Sequence, residues 1–189
     1  MIYTLIGSRS TPKEIMDLME KFAYKAASKD YIVRSGGADG ADTCAELGVK
    51  RYLKDNNLGE HVQSDLMEIY LPWNDFNKRD SDEEGYYTLS NLPNKSLAYK
   101  LAEETHPAWD RCSNGAKSLH ARNTMQILGD TLDKPSRFIL CYGESEKKGS
   151  VIPKGGSRTA CKLGEKHGVE IFNLYLEEHR KRVEDWISK

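Results

Sequence analysis

Three glycine-bearing turns carry the residues best suited to chemistry: Gly7-Ser8-Arg9, the run "SGGADGAD" from Ser35 to Asp42, and "GGSRT" from Gly155 to Thr159. Glycine lets backbone amides approach an anion closely, and a helix N-terminus adds partial positive charge, so such turns suit phosphate or carboxylate groups. Arg9 and Arg158 add forked donors that match a phosphate. The middle turn, with Ser35, Gly36, Gly37 and Gly40, is the unusual one, because it brings two acids of its own. Its glycine spacing is not GxGxxG and it lacks the GKS/T ending, so classical NAD or ATP binding is disfavoured. Asp42 suits a helix-capping role. Asp39, nearer the glycines, is open between two roles: it accepts from a ribose or base, or it takes part in cleavage.

These turns need elements to hold them. "MIYTLIGS" reads as a strand, followed by a helix from "TPKEIMDLMEKF", with Thr11 as N-cap and Pro12 at the first helical position. "YIVRS" and the helix "ADTCAELGVKRYLKDN" repeat the pattern, "LMEIYLPW" is a third strand, "RFILCYG" a fourth and "VEIFNLY" a fifth. Helices over "SRTACKLGEKHG" and "EEHRKRVEDWIS" flank the last strand. Strands alternating with helices predict an α/β fold: a doubly wound, mainly parallel sheet of about five or more strands, with all three glycine turns on its carboxyl edge. We read residues 1–189 as one domain, interrupted at 73–130 by an insertion between the third and fourth core strands. Residues 74–94 show no clean period, whereas 95–105 and 115–129 look helical. The aromatics Trp73, Phe76, Tyr86, Tyr87 and Trp109 argue against plain disorder.

Within the insertion, "HPAWDRCSNGAKSLHARN" is the richest stretch. Ser113 or Asn114 can cap its helix, on which Arg122 and Asn123 are candidates for phosphate and for holding a neighbouring loop. His106 and His120 read as structural, since neither has a carboxylate or nucleophile at a recognisable spacing. Trp109 and Asp110 read as anchors of the insertion, and "DSDEE" at 80–84 as a solvated acidic run.

Composition narrows the classes. Lys plus Arg number 28 against 29 Asp plus Glu, a net charge of −1, so any anion must be met by a local patch. The four cysteines, Cys44, Cys112, Cys141 and Cys161, stand singly without CxxC pairs, which suits idle thiols in a reducing cytosol. No metal set and no cofactor fingerprint is legible. Neither a membrane-length apolar run nor a signal peptide is present, so a cytoplasmic protein is expected.

The order "GSR", "SGGADGAD", "ARN" on a helix and "GGSRTA" opening another resembles the superfamily that joins lonely-guy (LOG) proteins to DNA-processing protein A, called SLOG. The likeness is nearest to its small DprA-like, YspA-related Rossmann proteins, often found in bacteriophages. It runs from Met1 to about Leu174. It implies a Rossmann-like sheet with a nucleotide or nucleotide-derived ligand among Gly7, Ser8, Arg9, Gly36, Gly37, Asp39, Gly40, Arg122, Asn123, Gly155, Gly156, Ser157 and Thr159, and members commonly form homo-oligomers. Two departures limit what carries over. LOG phosphoribohydrolases have PGGxGTxxE, whereas here Lys154 stands at the Pro position and Lys162 at the Glu position. An acid for N-glycosidic cleavage would have to be Asp39, Asp42 or Glu46. The DNA-processing branch binds single strands, yet the chain has no basic surplus, and acids at 75–84 offset Lys78, Arg79, Lys95 and Lys100.

The expected function is capture of a nucleotide or nucleotide-derived small molecule, as a sensor or sequestering protein. The alternative is a nucleotide N-glycosidase using Asp39 or Glu46, and a second alternative is single-stranded DNA binding, for which the charge balance gives least support.

Overall fold

The computed structural model describes every residue from Met1 to Lys189. Its elements run β1 (Ile2–Gly7), α1 (Lys13–Ala27), β2 (Ile32–Ser35), α2 (Ala41–Asp55), β3 (Met67–Leu71), β4 (Tyr86–Thr88), α3 (Lys95–Thr105), α4 (Asn114–Leu128), β5 (Phe138–Tyr142), α5 (Ser157–Lys166), β6 (Glu170–Asn173) and α6 (Glu177–Ser188). All six strands are parallel and lie in the order β4-β3-β2-β1-β5-β6. The expected Rossmann-like, doubly wound sheet is therefore present. No helix is long and apolar enough to cross a membrane.

Alternation along the strands explains the two covered faces. In β1, Tyr3 and Leu5 enter one apolar cluster while Ile6 enters the other; in β5, Leu140 faces the first, and Ile139 and Cys141 the second. The first cluster is closed by Met19, Phe22 and Ala23 of α1, Ala45 and Val49 of α2 and Val183 of α6. The second is closed by Ala98 and Ala102 of α3, Ala121 and Met125 of α4 and Ala160 and Leu163 of α5. Side-chain period 2 thus supplies both helical layers with apolar partners.

Two local expectations are corrected. Residues 74–94, read as aperiodic, contain β4, which pairs with β3 through Ile69 opposite Tyr86 and Leu71 opposite Thr88. Only three residues long, it offers too short a run for alternation to register. Thr11 does not cap α1: the helix starts at Lys13 behind Pro12, and the Thr11 hydroxyl donates to the Ser8 carbonyl at 2.6 Å. The Ser113 cap on α4 does form, its hydroxyl accepting from Ala116 N at 3.2 Å. In α4 every residue from Ala121 to Leu128 is buried, so the insertion supplies a main layer over the sheet.

A buried polar group underlies α4. Arg34, fully buried on β2, donates from Nε to Glu68 at 2.6 Å, and Tyr70 Oη donates to the same carboxylate at 2.9 Å. A charge at that depth is tolerable only with such partners.

Candidate functional site

The strand order reverses between β1 and β5, and a doubly wound sheet leaves a crevice at such a point, outside the carboxyl ends of its strands. A cleft of about 410 Å³ lies there. Its walls are Gly7, Ser8 and Arg9 after β1, Ala38 and Asp42 at the start of α2, one side of α4 from Ala116 to Gln126, and Lys154 to Ser157 before α5. The volume falls within the range of small-molecule sites. A second cavity of about 290 Å³, mainly apolar, lies at the amino ends of the strands among Phe22, Phe138, Phe172 and Trp186. No glycine turn reaches it.

The three turns prove unequal. Gly40 has φ +84°, and a Cβ there would stand 2.6 Å from the Ser8 carbonyl oxygen and 2.7 Å from Arg9 Cα. At Gly36 a Cβ would overlap the Arg122 guanidinium. These glycines let the first two turns and α4 pack onto one another rather than onto a ligand. Gly155 and Gly156 differ, with no atom within 4 Å of a built Cβ at either. Both are exposed, and they open the N-terminus of α5 into the cleft. Backbone amides and the positive end of the helix dipole therefore meet open space at that point.

Charge is arranged in two tiers. Arg122 is buried, pointing across the ends of β2 and β3 to donate to the Gly36 carbonyl and, at 3.0 Å, to that of Tyr70. Its Nε has no partner. Asp42 stands 4.0 Å away and accepts from Gly7 N at 3.1 Å. Burial raises the Asp42 carboxyl to about 6, against the opposing pull of Arg122 and of the Gly7 and Ala38 amides. Burial likewise pushes Arg122 down to about 10, with Asp42 resisting. The outer tier is Arg9, exposed and without an ion-pair partner, and Lys154, held by Glu144 at 2.6 Å. Asn123 donates to the Gly156 carbonyl at 3.3 Å and so fixes the α5 turn against α4.

Several expected residues lie elsewhere. Asp42 does not cap α2, which has no side-chain cap; it ties β1 to α4 instead. Of the acids considered for cleavage, Asp42 lines the cleft and Asp39 and Glu46 do not. Asp39 is exposed, and buried Glu46 accepts from Arg79 Nε at 2.8 Å and from Tyr86 Oη at 2.8 Å. Ser35 is buried and donates to the Leu5 carbonyl at 2.6 Å. The Gly37 carbonyl accepts from Asn77 at 3.1 Å, Arg158 pairs with Glu146 at 3.0 Å, and Thr159 is buried. The start of the insertion thus clamps the middle glycine turn through Asn77 and Arg79. Gln126, Leu119 and His120 line the cleft without having been singled out for it, because nothing in their spacing marks which side of α4 faces the sheet edge.

No family model matches the chain, and no curated protein does. Among solved structures, the chain is similar to DNA processing protein A from Helicobacter pylori, whose structure concerns its single-stranded DNA binding mode. The TM-score is 0.55 at 16% identity, covering 92% of this chain and 64% of that one. The chain spans less than two thirds of that neighbour, and the likeness is one of fold.

Proposed function

We propose that the protein binds a phosphate-bearing nucleotide or nucleotide-derived small molecule in the cleft at the strand-order reversal. The observation that carries this reading is the open α5 N-terminus: Gly155 and Gly156 line the cleft with nothing within 4 Å of a Cβ built on either, and Arg9, without an ion-pair partner, lines the same cleft. The anionic group sits on the turn before α5, Arg9 closes over it, and the ligand body runs along Ala116 and Leu119 of α4. Arg122 acts from beneath, holding the turn after β2 while its field favours an anion above. Hydrolysis would fall to Asp42, the carboxylate within the cleft, and its place in a tie to Gly7 suits positioning better than turnover. Calorimetric titration with mono-, di- and cyclic nucleotides and ADP-ribose should give saturable heat for at least one, weakened about 10-fold or more in Arg9→Ala, as loss of a charge-assisted phosphate contact implies. Silence across the panel with folded protein would overturn the reading.

The fold neighbour supports a second reading, single-stranded DNA held along the same carboxyl edge. A mobility shift at low salt with a short oligonucleotide tests it. This reading requires affinity that falls steeply as salt rises, the mark of released counterions.

A further inference from the structure

We propose that His106, Cys112 and His120 form a binding site for a thiophilic divalent cation of the zinc class, beside the cleft. One ligand atom from each residue lies within 4.8 Å of the other two. Cys112 Sγ stands 3.8 Å and 3.9 Å from the two ring nitrogens of His106, and the His106 and His120 ring centroids are 4.3 Å apart. Zinc bonds of roughly 2.0–2.1 Å to nitrogen and 2.3 Å to sulfur, at tetrahedral angles, place ligand atoms about 3.3–3.7 Å from one another. Closing the triad therefore takes side-chain movements of about an ångström. Two imidazoles and a thiolate select zinc, cobalt or a similar borderline-soft ion over magnesium or calcium.

The surroundings hold the triad in place. His106 ends α3, Ser113 caps α4 directly after Cys112, and Trp109 packs edge-on against His106 at 6.3 Å. A purely structural contact between two tilted histidine rings does not account for His120, whose Nδ1 is buried with no hydrogen-bond partner. An orphaned polar atom of this kind costs about 1–3 kcal/mol. The cysteine is also set apart: Cys44, Cys141 and Cys161 are buried, whereas Cys112 is half-buried, its thiol within 3.6 Å of the Ala108 carbonyl. Binding trades the contact from Ala108 N to His106 Nδ1, 3.1 Å, for a metal–nitrogen bond. The Cys112 thiol gives its proton to solvent as the sulfur–metal bond forms. Three protein ligands leave a fourth position for water or a ligand atom, as in open zinc sites. His106 lines a surface depression with Glu103 and Trp109, and His120 lines the cleft. The spacing His106-x5-Cys112-x7-His120 matches no finger or ribbon pattern, which is why it does not stand out in the sequence.

The test uses the full chain and metal alone, so its outcome is separate from that of the nucleotide titration. Cobalt(II) should bind at one equivalent, with the charge-transfer band of a thiolate ligand and the visible bands of four-coordinate cobalt, and zinc(II) should displace it. Cys112→Ser should abolish the charge-transfer band, while His106→Gln and His120→Gln should weaken binding by about 100-fold, no less than the loss of an outer-shell partner costs. Zinc should also protect Cys112 of the unsubstituted protein from alkylation, a readout independent of whether any variant folds. Absence of both the thiolate band and the protection would overturn the proposal, as would a band that survives in folded Cys112→Ser.

Discussion

Replacing Arg122 with Met should lower the stability of the fold by about 3–5 kcal/mol at pH 7, the range for stripping one partner from a buried charged pair. The residue is an internal strut as much as a cleft wall. Without it the Gly36 and Tyr70 carbonyls lose their donor, and Asp42 is left buried beside no positive charge. Arg122→Lys should restore little, because a point ammonium cannot span two carbonyls and the carboxylate together.

The same variant carries a pH signature. The Asp42 carboxyl titrates at about 6 in the folded protein against 3.8 ordinarily, so between those values the folded chain holds a proton that the unfolded chain has released. The stability this group contributes is complete below the lower value and is lost as pH rises through the upper one, about 3 kcal/mol for a shift of this size. Removing the Arg122 charge lifts the carboxyl further, so Arg122→Met should recover part of its lost stability when pH falls from 7 to 5. Asp42→Asn should flatten the slope in both backgrounds. Urea midpoints at the two pH values, arranged as a double-mutant cycle, measure all of this.

The second large effect is expected at Gly36. A methyl group there meets the Arg122 guanidinium and the Gln126 amide, and Arg122 can move aside only by giving up its bonds to the Gly36 and Tyr70 carbonyls. Gly36→Ala should cost roughly 3 kcal/mol through overpacking and loss of the Arg122 bonds, and should loosen the turn after β2 enough to abolish ligand binding. Gly156 makes the opposite prediction. Its φ of −62° is helical and no atom lies within 4 Å of an added Cβ, so Gly156→Val should fold and melt like the parent. A difference in midpoint between the two variants, read by thermal denaturation, separates a glycine that packs loops from one that opens on the cleft.

Those two residues also show where the sequence was informative. The glycine turns, their place after strands and the doubly wound sheet were all legible, because strand and helix periods and turn composition are local properties. Whether a given glycine admits a ligand or another loop was not legible, since it depends on which backbone arrives from residues far away in the chain. Gly36 meets α4 across 86 residues of sequence, and Gly40 meets the turn after β1. Long-range pairing hid the acids in the same way. Glu46 looked available until Arg79 and Tyr86 came to it from the insertion, and Asp42 looked like a local cap until Gly7 and Arg122 took it. β4 was missed for a different reason: three residues are too few to show alternation, and its pairing partner β3 decides it.

The fold is a doubly wound parallel sheet, and the proposed function rests on the open turn before α5. The measurement that tests this account most directly is calorimetric titration of the nucleotide panel against the parent protein and Gly156→Val side by side. Saturable heat in the parent, with affinity reduced about 10-fold or more in a variant of unchanged melting temperature, is the predicted result; a loss of that size corresponds to about 1.4 kcal/mol. Equal affinity in the two proteins would place the ligand away from the α5 turn and contradict the account.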